Sequence, residues 1–308
     1  MSDQLKKFLF EDQSARAQIV SIRDTWIEIQ ARHDYPPAVI SLLGELVAAS
    51  VLLASNLKFA GSLVLQIQGD GPIGLLVVEC NASLGIRATV KLREDRPLPD
   101  KGDLQSLVNP GGQGRFAVIL DMQDRLPGQQ PYQGVVALNG NTISEVLEHY
   151  MQASEQLQTR LWLAADAERA AGLLIQKLPK HGGKAVASTD DEEEDTYGRV
   201  VTLAETLTTD ELLAESADTI IRRLFWQETL QQFEPQPVTY HCTCSRERIA
   251  DLLLRLGQAE INDILAEQGK VSVNCDYCVK TYDFDAVDCA ELFAQDSSAL
   301  RHSSASKH

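Results

Sequence analysis

Period-two alternation marks much of the first half of the chain. Leu63, Leu65 and Ile67 alternate with Ser62, Gln66 and Gln68, the signature of a half-buried strand. Gly69-Asp70-Gly71-Pro72 then turns the chain into an apolar run over Ile73–Glu79, which predicts a hairpin. Ile86, Ala88, Val90 and Leu92 alternate again with Arg87, Thr89 and Lys91. Further strands are predicted at Ala17–Ile22, Phe116–Leu120, Gly134–Leu138, Thr159–Ala164 and Gly172–Leu178. Asp24 reads as the cap of a helix through Ala31, and a second helix is predicted from Thr142 to Gln156. Ala38–Leu57 has Glu45 as its only charge, but Gly44 and the serines at 41, 50 and 55 interrupt it, and Leu42/Leu43, Leu46/Val47 and Val51–Leu53 recur at helical spacing. That is the pattern of a core helix in a soluble protein rather than a membrane span. Residues 1–180 therefore read as an α+β domain built on antiparallel sheet.

The pattern changes after Pro179. Lys180-His181-Gly182-Gly183-Lys184 breaks the chain, and Asp190–Asp195 is an unbroken run of six acids. From Asp190 to Glu234 there are 13 acids and 3 bases, a net charge of −10. The same stretch places Leu212, Leu213, Ile220, Ile221, Leu224, Phe225, Leu230 and Phe233 at helical spacing, with Asp210 as the expected cap. Residues 181–240 are thus expected to form an acidic, metastable, mainly helical linker whose greasy face must dock on a neighbour to stay folded. A small unit follows over 241–294. Its expected helices are Arg246–Leu256, Glu260–Gln268 and Ala286–Phe293, and a hairpin pairs Lys270–Val273 with Val279–Phe284. The serine-rich tail, 295–308, is expected to be disordered.

Composition narrows the function classes. Of 308 residues, 44% are hydrophobic and 23% charged, an ordinary balance for a globular chain. Lys+Arg is 28 against Asp+Glu 44, a net charge of −16 that disfavours nucleic acid and anionic lipid as main partners. The opening MSDQLKKFLFEDQ lacks the apolar core of a signal peptide, so the cysteines are expected in a reducing cytoplasm. There, clustered thiols mean metal or redox chemistry.

Such a cluster is present. Cys242-Thr243-Cys244 is followed, after 30 residues, by Cys275-Asp276-Tyr277-Cys278. Both pairs fall in a unit of some 54 residues with few large apolar side chains, which core burial alone stabilises poorly. Four thiolates fit tetrahedral Zn²⁺, and a complete shell of four cysteines leaves no open position for water or substrate. The site therefore reads as one structural zinc rather than a hydrolytic centre. His241 reads as an exposed neighbour of the first pair, and Cys80 and Cys289 as inert buried thiols. Gly69-Asp70-Gly71 and Gly111-Gly112-Gln113-Gly114 lack the context of phosphate loops and read as turns. No HExxH, GxSxG or Ser/His/Asp set is present, so the sequence predicts no catalytic centre and no enzyme.

Taken together, Cys242-Thr243-Cys244-Ser245-Arg246-Glu247-Arg248 and Cys275-Asp276-Tyr277-Cys278 resemble the 33 kDa chaperonin family of oxidation-activated bacterial holdases. His33-Asp34-Tyr35-Pro36, Leu57-Lys58-Phe59, Gln66-Ile67-Gln68-Gly69-Asp70-Gly71-Pro72, Tyr132-Gln133-Gly134-Val135-Val136 and Ser154-Glu155-Gln156-Leu157 extend the resemblance over almost the whole chain. A longer tail, a more acidic linker and the extra Cys80 and Cys289 depart from it. The resemblance implies a reduced, inactive form with zinc on Cys242, Cys244, Cys275 and Cys278. It further implies that peroxide or hypochlorite forms Cys242–Cys244 and Cys275–Cys278 disulfides, with zinc loss and unfolding of the unit and linker. Apolar surface on the core and linker would then hold unfolded or oxidatively damaged clients without ATP. The family's active form is a homodimer and passes clients to ATP-dependent chaperones. Two other classes compete: a four-cysteine zinc-ribbon nucleic-acid-binding factor using Arg246, Arg248, Arg255 and Lys280, and a disulfide oxidoreductase using Cys275 and Cys278. The charge disfavours the first, and the expected hairpin setting of the CxxC disfavours the second.

Overall fold

A computed structural model describes residues 3–58, 60–123, 130–179 and 190–294. The breaker Lys180–Lys184 and the tail 295–308 lie outside the described residues. The chain divides into two compact units, Met1–His241 and Cys242–His308.

The first unit opens with strands β1 (Gln4–Phe10) and β2 (Ala15–Ile22), helix α1 (Asp24–Gln30) and helix α2 (Pro37–Ala54). Strands β3 (Gly61–Gln68), β4 (Ile73–Asn81) and β5 (Gly85–Leu92) follow, then α3 (Leu104–Val108), β6 (Arg115–Met122) and β7 (Tyr132–Ala137). Next come α4 (Ile143–Ser154), β8 (Thr159–Ala165) and β9 (Ala170–Lys177). Helices α5 (Asp190–Ala204), α6 (Thr209–Ala214) and α7 (Ala217–Leu224) lead to the short strands β10 (Leu230–Gln232), β11 (Gln236–Pro237) and β12 (Thr239–Tyr240). One sheet runs β10-β1-β2-β9-β8, with β11 also on β1; the other runs β12-β5-β4-β3-β6-β7. All pairings are antiparallel except β12 on β5.

The α2 helix is long and apolar enough to cross a membrane, but 72% of it is buried, because both sheets pack on it. The opposite face of the first sheet carries Phe8, Phe10, Ala17, Ile19, Leu173 and Ile175, and α5–α7 cover it. The layers are thus helices, sheet, helix, sheet. This explains why β9 is buried along seven of its eight positions: Leu174 faces α2 while Leu173 and Ile175 face α5–α7. Its continuous apolar run is what a strand covered on both faces requires. Across the second contact the Phe10 and Phe225 rings meet edge to face at 5.4 Å. Lys6 on β1 pairs with Asp218 on α7 at 2.7 Å.

Several local expectations are corrected. The α1 helix is capped from a distance. The Asp3 carboxylate accepts from the Arg23, Asp24 and Thr25 amides at 2.7, 3.2 and 2.6 Å, so Asp24 lies in the first turn. The apolar run from Leu212 to Phe233 is two short helices and a strand. Thr208, not Asp210, caps α6 through a capping box with Glu211, and Ser216 caps α7. Leu230 lies in β10 opposite Phe10, and Phe233 is exposed beyond it. The two glycine turns pack together: a Cβ on Gly69 would stand 1.9 Å from the Val108 carbonyl oxygen, and the Asp70 carboxylate accepts from the Gly111 amide.

The second unit comprises α8 (Arg246–Leu256), α9 (Gln258–Gln268), the hairpin β13 (Val271–Asn274) and β14 (Thr281–Phe284), and a last helix over 286–294. Its fully buried core is small: Leu253, Ile261, Val271, Tyr282, Phe284 and Cys289.

Candidate metal centre

Two backbone devices bring the cysteines together. Cys244 directly precedes Ser245, whose hydroxyl caps α8 by accepting from the Arg248 amide at 3.3 Å. The first pair therefore sits against a helix N-terminus, where the helix dipole favours negative sulfur. The second pair lies in the β13–β14 turn. The Val279 amide donates to the Cys275 carbonyl and the Cys275 amide to the Lys280 carbonyl, both at 2.9 Å. Closing so tight a loop puts Val279 at φ 53°, a left-handed conformation that a β-branched residue rarely adopts. Arg246 fixes the two devices relative to each other. Its guanidinium lies 4.1 Å over the Phe284 ring, donates to the Asp283 carbonyl at 2.7 Å and pairs with Asp288 at 2.8 Å.

The sulfurs of Cys242, Cys244, Cys275 and Cys278 all lie within 4.8 Å of one another. The Cys242–Cys275 separation is 3.7 Å and Cys244–Cys278 is 3.3 Å. Zinc–thiolate bonds of about 2.3 Å in a tetrahedron place sulfurs about 3.8 Å apart, so the four thiols fit one such ion with little movement. Their electrostatics fit as well. Burial pushes the Cys275 thiol up and the Cys278 thiol up to about 12. Four negative sulfurs at these distances require a positive charge among them, and a divalent ion inverts that preference. The residues are thus able to hold a metal ion, and their chemistry is compatible with zinc.

Sequence reasoning brings these four residues together; it misses Tyr282. Its hydroxyl donates to Cys244 Sγ at 3.2 Å while its ring sits in the small core. The visible signal is its place on the apolar face of β14, with Phe284, next to a thiolate cluster. His241 ends the first unit, exposed and outside the sulfur cluster. Cys289 is in the small core and Cys80 on β4; burial raises the pKa of both. Of the four basic residues considered for nucleic acid, Arg246 is committed as above, Arg248 donates to Thr243 and Lys280 lies over the Tyr282 ring.

These features define a class: a layered α+β unit, with helices over one sheet face, joined in one chain to a module with four clustered thiols. Within that class, the chain belongs to the Hsp33 family, whose model, described as Hsp33 protein, matches residues 3–285. A 33 kDa chaperonin of Methylobacillus flagellatus is 45% identical, over 95% of each chain. One from Chromobacterium violaceum is 43% identical, over 96% of this chain and 95% of its own. The crystal structure of the 33 kDa chaperonin from Thermotoga maritima superposes with a TM-score of 0.80, covering 97% of this chain and all of that one. At 23% identity, that likeness is one of fold.

Proposed function

We propose that the chain is an ATP-independent holdase chaperone, not an enzyme, held inactive by a reduced zinc–tetrathiolate unit and activated by oxidation. One observation carries the reading. The apolar face of the first sheet and the apolar faces of α5–α7 cover each other, so separating them exposes Phe8, Phe10, Ile19, Ile175, Ile221 and Phe225 at once. Contiguous apolar surface of that kind binds unfolded chains, while the −16 net charge keeps a complex soluble.

Cys242, Cys244, Cys275 and Cys278 would hold the ion, which supplies the binding free energy that a core of six buried residues lacks. Oxidation proceeds from sulfur. One thiolate of a pair attacks the peroxide O–O bond, becoming a sulfenic acid and releasing hydroxide. The second thiolate displaces that oxygen, forming the disulfide, so each pair gives two electrons to one peroxide. The proposed pairs are Cys242–Cys244 and Cys275–Cys278. Their sulfurs, once bridged, no longer serve as four ligands, and the small unit loses its staple. Helices α5–α7 then lift from the sheet. The proposal includes a homodimeric active form, a cytoplasmic location, hand-off of clients to ATP-dependent chaperones, and no nucleic-acid or membrane partner.

The test is light scattering from a heat-unfolded client without ATP, with the chain either reduced and zinc-loaded or peroxide-treated. Suppression by the oxidised form alone supports the reading. Inertness of both forms, or equal activity, overturns the switch.

A further inference from the structure

Strand β1 has β2 on one edge; its other edge is taken by β10 and β11, from the segment that follows α7. Leu230, Gln231 and Gln232 stand opposite Phe10, Leu9 and Phe8, and Gln236 and Pro237 stand opposite Leu5 and Gln4. The Glu11 amide donates to the Thr229 carbonyl at 3.1 Å, and the Phe233 amide donates to the Lys7 carbonyl at 3.0 Å. These bonds bracket the ladder. By antiparallel alternation, Leu9 and Gln231 form a hydrogen-bonded pair, while Phe8–Gln232 and Phe10–Leu230 are the pairs between, whose side chains lie closer. Side chains contribute little to this contact: Gln231, Gln232, Phe233 and Glu234 are exposed, and Leu230, half-buried, is the one that packs with the Phe8–Phe10 face. The ladder is interrupted between β10 and β11, where Pro235 lies, and Pro237 brings no amide to it. A segment with a loose grip thus occupies the edge of a seven-residue strand.

We propose that the outer edge of β1 is a strand-addition site for clients, and that residues 229–237 occupy it as a stand-in until the chaperone is activated. The inference rests on the holdase reading in which α5–α7 lift from the first sheet. It adds that β10 and β11, which follow α7 in the chain, leave with them, and it names the kind of segment then bound. A vacated strand edge presents a row of N–H and C=O groups to which any extended backbone can pair, so such a site tolerates many sequences. Phe8 and Phe10, uncovered on the same strand, add an apolar wall beside it. The stand-in sets Leu230 against Phe10 but Gln232 against Phe8. A client segment with apolar residues at alternate positions fills both places, and its intervening residues carry the amides that pair with β1. The favoured ligand is therefore an extended segment with a period-two apolar pattern, in antiparallel register, as an unfolding β-strand exposes.

The test uses the full-length, peroxide-treated chain and a short fluorescent peptide alternating valine with threonine. Two analogues keep every side chain, one N-methylated at the threonines and the other at the valines, and binding is read by fluorescence anisotropy. Methylation at the threonines blocks the amides that face β1 and should weaken binding by about tenfold or more; methylation at the valines should change it little. Hydrogen exchange should find the Leu9 and Glu11 amides protected in the reduced, zinc-loaded chain, unprotected after oxidation, and protected again by the unmethylated peptide. Gln232→Val completes the stand-in, so it should weaken peptide binding to the oxidised chain by about threefold. Failure of the peptide to bind, equal binding by the two analogues, or binding without protection of those two amides overturns strand addition. Binding by Gln232→Val equal to wild type overturns the stand-in. Protection that returns on oxidation with rising protein concentration and no peptide assigns the edge to a second copy, and overturns the client site. The aggregation assay judges the chaperone reading separately: holding without the methylation difference removes this site alone, and the difference without holding removes that reading alone.

Discussion

The Tyr282 hydroxyl donates to Cys244 Sγ at 3.2 Å, tying a strand of the small core to one sulfur of the tetrathiol cluster. A donor to a thiolate lowers its charge density and fixes its direction, as outer-shell partners of metal ligands do. Tyr282→Phe keeps the ring and removes the donor. It should weaken zinc binding by roughly tenfold and speed peroxide oxidation of Cys244, both readable by competition with a chromophoric chelator and by thiol trapping.

Val279 sits at φ 53°, beside Cys278, with its side chain about half exposed. Glycine adopts that conformation without strain, and little packing is lost. Val279→Gly should stabilise the zinc-loaded unit by about 1 kcal/mol. Denaturant titration of metal-loaded protein checks the gain, and slower peroxide-driven zinc release is expected to accompany it.

Phe225 meets Phe10 at 5.4 Å and is 2% exposed. Truncation to alanine should weaken packing over the first sheet by about 3 kcal/mol. Phe225→Ala is therefore expected to suppress client aggregation partly even when reduced and zinc-loaded. A variant as inert as the reduced wild type would show that exposure of this face does not confer holding.

Removal of the metal should unfold the small unit and loosen α5–α7, and leave the two sheets in place. A strong chelator under reducing conditions is expected to abolish the circular-dichroism and exchange signatures of α8, α9 and β13–β14. The sheets around α2, whose core is extensive, should keep theirs. Cys242→Ser should reproduce the chelator. Cys80→Ser and Cys289→Ser should leave zinc stoichiometry at one, since neither thiol belongs to the sulfur cluster.

How far these elements could be read beforehand depended on how local their causes are. Alternation in β3, β5 and β8 is written into adjacent residues, and the two cysteine pairs state their own spacing. The β1 strand was missed because Lys6 and Lys7 make it look polar. Lys6 reaches Asp218 and Lys7 the Ser55 carbonyl at the end of α2, partners 212 and 48 residues away. The Asp3 cap on α1 has the same origin. Leu230 and Phe233 continue a helical period by coincidence: pairing with β1 makes Leu230 part of a strand, and just beyond it the Phe233 amide donates to the Lys7 carbonyl. Tyr282 could be placed on an apolar face, but its bond to Cys244 depends on two segments meeting in space.

The first sheet is a partition between two rooms of unequal permanence. On one side α2 belongs to a core shared with the second sheet; on the other, α5–α7 rest on side chains that have no other cover. Removing the second set subtracts a layer and leaves the wall standing, because β2, β8 and β9 remain backed by α2. The receptive surface is then ready-made, with no strand to re-register and no core to rebuild, and restoring the layer returns the protein to rest.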